Sequence, residues 1–173
     1  NNSAVNGAGA YLSGGALNIS SGTINNNTAS TDGGGAYLAD GTLNVTGGKL
    51  QNNTAVNGAG AYLAGGELNI SSGSINNNNA TLNGGGTYLE GGTLNVTGGN
   101  IISNNAVYGA GAYLYAGGTL NISSGSDELE LGLCDYYEDE DYGLFYGCNL
   151  EEVYLGRNIK RIFYRNGANN YKL

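Results

Sequence analysis

One pattern of 25–26 residues recurs through the first 125 residues, and this period constrains the fold more than any other feature. Tyr11, Tyr37, Tyr62, Tyr88 and Tyr113 are spaced 26, 25, 26 and 25 residues apart. Leu17, Leu43, Leu68, Leu94 and Leu120 follow at 26, 25, 26 and 26, and Ile24, Leu50, Ile75 and Ile101 mark a third track. A fixed period of this length signals stacked units, each contacting only its neighbours.

The apolar pieces are three to five residues long and fenced by Gly pairs or Asn runs, too short for helices, so they read as strands. Three strands and three corners per repeat, with no corner long enough for a crossover helix, predict a triangular coil. Each strand then pairs with its counterpart one repeat on, at a rise of about 4.8 Å. The expected fold is all-β: a right-handed parallel β-helix of about five three-stranded coils over residues 1–125. A leucine-rich repeat would need a longer L-x-x-L-x-L framework. An antiparallel sandwich has no reason to hold one register over five repeats.

Strand alternation assigns the faces. In Ala10-Tyr11-Leu12 the Ala and Leu turn inward and the Tyr outward, and in Leu17-Asn18-Ile19 the Asn turns outward. Ile24 is expected inside. Asn27, Asn53, Asn78 and Asn104 align at a corner as an amide ladder, an arrangement that stabilises stacked chains. The interior is thus expected to be Ala, Leu, Ile and Val, and the outside a tyrosine column with sets of Asn ladders.

Composition narrows the chemistry. The chain has no His and no Met, so imidazole and thioether chemistry are absent. With 14 acidic against 6 basic residues and a net charge of −8, it lacks the clustered cations that a nucleic acid partner requires. No run of 18 apolar residues is present, so no membrane span is expected. No cofactor or metal site is expected. Asn1-Asn2-Ser3-Ala4 matches Asn26-Asn27-Thr28-Ala29, so the numbering opens inside a repeat and the chain is expected to be part of something longer.

The G-G-G-A-Y-L…G-T-L-N-V…N-N-T-A pattern, over about 125 residues, resembles the Gly/Asn-rich repeats of bacterial surface β-helices, such as polymorphic outer-membrane proteins and autotransporter-like adhesin passengers. That resemblance implies an extracellular or cell-surface location. The group also includes carbohydrate-active enzymes, so the resemblance speaks to architecture more than to activity.

Residues 126–173 differ. They hold ten of the fourteen acids, five of the six bases and both cysteines. Phe145-Tyr146-Gly147-Cys148-Asn149-Leu150-Glu151-Glu152-Val153-Tyr154-Leu155 resembles the F-x-x-C-x-x-L-x-x-V-x-L pattern of BspA-like leucine-rich-repeat proteins on bacterial surfaces, with one gap shortened after Cys148. This segment is expected to be a small β cap on the stack, or the start of a leucine-rich-repeat-like unit. Cys134 and Cys148 suit a disulfide in an oxidising compartment or, equally, two buried thiols. The acidic run Tyr137–Gly143 reads as a solvated loop, lacking the spacing of a Ca²⁺ loop.

Tyr11, Tyr37, Tyr62, Tyr88 and Tyr113, joined near the last coil by Tyr108 and Tyr115, form the leading candidate site. Sugar rings stack on aromatic strips through their C–H faces, and the hydroxyls add hydrogen bonds. Cross-strand aromatic pairs also stabilise a sheet with no ligand, by roughly 0.2–1 kcal/mol each. Asp40, Glu67 and Glu90 sit near one corner on successive coils, as paired carboxylates of a glycosidase or polysaccharide lyase would. They fall in three different columns, however, with no Arg or Lys beside them. A regular outward Thr array is also broken, because Thr42, Thr93 and Thr119 share a column with Ala16 and Glu67. The expected function is a non-enzymatic secreted or surface stalk, adhesin-like, contacting a glycan or another cell-surface ligand through the tyrosine column. The alternative is a carbohydrate-active enzyme fragment.

Overall fold

The computed structural model describes residues 1–115 and 117–122, together with the backbone of Tyr154–Leu155, Tyr164–Asn166 and Asn169–Tyr171. Cys134, Cys148 and the acidic run lie outside the described residues. The chain is a parallel β-solenoid of about five turns, and the described residues contain no helix.

Three sheets line the coil. The first stacks Ser3–Asn6, Thr28–Asp32, Thr54–Asn57 and Asn79–Asn83. The second stacks Thr23–Asn25, Lys49–Gln51, Ser74–Asn76 and Asn100–Ile102. The third is wider, because it takes both the tyrosine anchor and the Leu-Asn anchor of each coil. In the first two coils these run together as the ten-residue strands Ala10–Ile19 and Ala36–Val45. In later coils the Gly pair divides them, as in Ala61–Leu63 and Glu67–Ile70. The pairing is parallel and sets like on like: Tyr11 on Tyr37 on Tyr62, Leu43 on Leu68, Asn44 on Asn69. At the far end Tyr154–Leu155 adds in parallel to Thr119–Ile122, while Tyr164–Asn166 and Asn169–Tyr171 form an antiparallel pair.

The strand assignment differs from expectation in one respect. The Thr-Ala segment after the Asn corner, which carries none of the three expected strand tracks, forms the first sheet, and the tyrosine and Leu-Asn tracks share the third. The corner itself is the Asn-Asn dipeptide before that segment, where the sequence places it. Asn26, Asn52, Asn77 and Ser103 each hold a φ of 54°, in the left-handed region that Asn tolerates better than most residues. This turn swings the following Asn side chain inward.

The interior is a set of aliphatic columns. Leu38, Leu63 and Leu89 stack on one another, as do Leu43, Leu68 and Leu94, and Leu50, Ile75 and Ile101, all fully buried. Burying each such side chain contributes about 1.5–3 kcal/mol. Ala29, Ala55, Ala80 and Ala106, with Ala8 and Ala59, form a second narrow cluster behind the first sheet. There the coil is too thin for larger residues: a Cβ on Gly35 or Gly60 would meet the carbonyl oxygen of Gly60 or Gly86 one coil on. Glycine at these positions is a condition of stacking.

Candidate functional site

The tyrosine anchors form one continuous stack on the outer side of the wide sheet. Ring centroids lie 5.0 Å apart for Tyr11 and Tyr37, 5.1 Å for Tyr37 and Tyr62, 4.7 Å for Tyr62 and Tyr88 and 5.2 Å for Tyr88 and Tyr113. The planes are within 7° of parallel for the first three pairs and 21° for the last. Identical register on consecutive coils places each ring over its counterpart, so the inter-strand spacing becomes the stacking distance. The rings also rest on the turn before them, since the space above Gly7 and Gly33 is taken by the Tyr11 and Tyr37 Cβ atoms.

This geometry changes what the column can offer. Each inner ring has both faces against other rings, so a sugar has no C–H stacking surface there. What remains are ring edges and hydroxyls. Exposure falls from 56 % at Tyr11 to 7 % at Tyr62. The Tyr62 hydroxyl donates to Glu90 Oε2 at 2.7 Å. Burial is the main cause that raises the phenol pKa values of Tyr37 and Tyr62 and pushes Tyr88 up to about 12. These three hydroxyls therefore stay protonated donors at any ordinary pH.

Tyr108 and Tyr115, expected to extend the strip, instead flank it. Tyr108 bridges to Asn83 and continues the column Asn6, Asp32, Asn57 and Asn83. Tyr115, 49 % exposed, follows the backbone position of Glu90: Glu90 N donates to Leu63 O, and Tyr115 N to Leu89 O one coil on. The Asn6 column is hydrogen-bonded lengthwise. Asn6 Oδ1 accepts from Asp32 N at 3.1 Å, Asp32 Oδ1 from Asn57 Nδ2 at 2.9 Å and Asn57 Oδ1 from Asn83 Nδ2 at 2.7 Å. Desolvation raises the Asp32 pKa; the bond from Asn57 opposes this shift and repulsion from Glu90 adds to it.

A second outward ladder runs along the Leu-Asn anchor. Asn44 Nδ2 donates to Asn18 Oδ1 at 2.7 Å, Asn69 to Asn44 at 3.0 Å, Asn95 to Asn69 at 2.8 Å and Asn121 to Asn95 at 2.7 Å. Inside the coil Asn27, Asn53, Asn78 and Asn104 form the corner ladder read from the sequence. The Nδ2 of Asn27, Asn53 and Asn78 each donates to the Oδ1 of the next coil at 3.0–3.1 Å, and the same Oδ1 takes a backbone N–H. The remaining amide protons of Asn53, Asn78 and Asn104 go to the carbonyls of Ile24, Leu50 and Ile75.

The three carboxylates of the enzyme alternative occupy separate columns, as the spacing requires. Asp40 Oδ1 accepts from Gly41 N at 2.7 Å, Glu67 Oε1 from Asn95 Nδ2, and Glu90 Oε2 from Tyr62. The mixed column of Ala16, Thr42, Glu67, Thr93 and Thr119 is also as read. Among the described residues no group of three or more Cys, Asp or Glu is placed to hold a metal ion, and no helix is long and apolar enough to cross a membrane. The Tyr62–Glu90 bond spans 28 residues and had no sequence signal, because Glu90 stands where Ala39 and Ala64 stand in other coils.

Comparisons with protein-family models, with curated proteins and with solved structures return no match.

Proposed function

We propose that this chain is a non-enzymatic, secreted or surface-attached solenoid stalk with adhesin-like capacity, contacting glycans through the tyrosine strip. The observation that carries this reading is the unbroken stack of five rings, which gives a rigid line of hydroxyl-bearing edges along the coil axis. Contact runs through hydroxyls and neighbouring amides, with the ring faces closed to sugar. The local hydrogen bonds of Asp40, Glu67 and Glu90 favour this over a hydrolytic reading, since each carboxylate is turned to a neighbour on its own face.

The test is glycan-array binding by the whole chain and by Tyr37→Phe/Tyr88→Phe, which keeps the stack and removes two hydroxyls. Reduced array binding with an unchanged melting curve supports the reading. Binding indifferent to both hydroxyls sinks the tyrosine contact, and glycan cleavage abolished by Glu90→Gln would move the chain to the enzyme class.

A further inference from the structure

We infer that the outward amide ladder Asn18–Asn44–Asn69–Asn95–Asn121 is itself a binding surface, for a neutral, extended polysaccharide chain lying parallel to the coil axis. This rests on the glycan-contacting reading above but assigns the contact to a different column.

The inference starts from residue choice. Asn is depleted in strands, where an outward position on a half-buried sheet favours Thr, Val or an aromatic ring. Yet five successive coils place Asn at the outward centre of their Leu-Asn strand, while the column two residues before it varies through Ala16, Thr42, Glu67 and Thr93. The ladder bonds give part of the reason. They use one amide proton per residue, however, and an exposed amide bond contributes little net stability. Among the described residues, Asn44 and Asn69 each keep a second Nδ2 proton with no acceptor, and Asn18 keeps both. Asn95 alone spends two donations, on Asn69 and Glu67.

The result is a run of N–H donors on Asn18, Asn44 and Asn69 at coil spacing, already held in one orientation by the ladder, so a ligand need not freeze the side chains on binding. From Asn18 to Asn69 this run covers two coil steps, roughly 10 Å at the ordinary strand spacing, within a ladder of four steps that ends at Asn121. An extended β-linked glycan advances about one sugar per coil step, so successive hydroxyls can meet successive amides in register. Charge decides the class: Glu67 is the one ionised side chain bonded to the ladder, and no Lys or Arg in the described residues stands on the wide sheet. A uronate or sulfated chain would meet repulsion without a counter-charge, whereas a neutral chain would not.

The experiment is calorimetric titration of the whole chain with neutral β-1,4-linked hexasaccharides of glucose, mannose and N-acetylglucosamine, with polygalacturonate as the anionic probe. Two variants are compared with the parent. Asn44→Thr/Asn69→Thr keeps strand-forming residues and removes the amide donors; Tyr37→Phe/Tyr88→Phe removes hydroxyls from the other column. Melting curves establish that both fold. The expected result is at least tenfold weaker binding of a neutral hexasaccharide by the Asn variant, a smaller loss in the Tyr variant and no preference for polygalacturonate. Weakening confined to the Tyr variant overturns the amide ladder and leaves the tyrosine reading standing. Tighter binding of polygalacturonate overturns the neutral class, and binding of no glycan overturns both readings together.

Discussion

The same side chain in the same ladder geometry occurs twice in this molecule, once inside the coil and once on its surface, and the two ladders do different work. Asn27, Asn53, Asn78 and Asn104 are almost completely buried, and nearly all of their amide atoms are spoken for, by the next amide, a backbone N–H or a carbonyl. Asn18, Asn44, Asn69, Asn95 and Asn121 make the same amide-to-amide bond at the solvent boundary and leave donors unused. In a low dielectric a satisfied polar network is strong and an unsatisfied one is costly. Water removes both extremes. The inner ladder therefore belongs to folding, and the outer one is free to belong to recognition.

The largest effect that would break this contrast is expected at the inner ladder. Asn78→Leu deletes the acceptor of Asn53 N and Nδ2 and the donor to Leu50 O and Asn104 Oδ1. With a buried N–H and carbonyl left unpaired, at about 1–3 kcal/mol each, the expected loss is about 3–5 kcal/mol by urea denaturation. A loss under 1 kcal/mol would show that water or backbone adjustment replaces the amide, and the interior would no longer differ from the surface.

A second test uses a polar group that the interior fails to satisfy. Thr87 stands in the inward column otherwise filled by Ala36, Ala61 and Ala112, and its Oγ1 is buried with no hydrogen-bond partner. Thr87→Val keeps the shape and removes the hydroxyl, so stabilisation of about 1 kcal/mol is expected. Destabilisation would mean the hydroxyl has a partner, and the narrow core would tolerate polarity better than the Asn78 argument assumes.

How much of this was legible in the sequence follows from which residues carry strong signals. The inward Leu and Ile columns were readable because large aliphatic residues at a fixed period leave one arrangement, and Leu50 and Ile75 are where their spacing puts them. The inner ladder was readable for the same reason, since Asn53 and Asn78 recur beside fixed anchors. The first sheet was missed because its inward side is only Ala29, Ala55 and Ala80, small residues fenced by Asn and Thr that look like corner composition. Alternation placed the tyrosines outward but could not show that Tyr62 is closed in by Tyr37, Tyr88 and its bond to Glu90. Facing outward and being accessible are different properties, and only the second depends on neighbours 25–28 residues away.

At the outer ladder the expected effect is smaller. Asn44→Ala removes one donation to Asn18 and one acceptor for Asn69, both groups that water can serve, so the loss in urea denaturation should stay near 0.5–1 kcal/mol. A loss matching that of Asn78→Leu would make the outer ladder structural and remove the main reason to look for a ligand there.

The smallest effect is electrostatic and carries a sign. Asp32 occupies a column shared with Asn6, Asn57, Asn83 and Tyr108, and its carboxyl pKa is raised above 3.8, chiefly by desolvation. In the window between 3.8 and the raised folded value the folded chain holds more proton than the unfolded chain, so this residue's contribution falls as pH rises and stays lower above the window. Asp32→Asn preserves the acceptor for Asn57 Nδ2 and removes the charge that Glu90 repels. The variant should therefore be more stable than the parent at neutral pH. Because the carboxyl is only partly buried and is screened by solvent, the gain should be a few tenths of a kcal/mol. The difference should vanish as the pH drops below 3.8, where Asp32 is protonated in both states. Melting curves of the two proteins from pH 3 to 8 would read this directly. A parent more stable than the variant at neutral pH would mean the Asp32 charge is met by a favourable partner, and this outward column would then be organised by charge as well as by amide bonding.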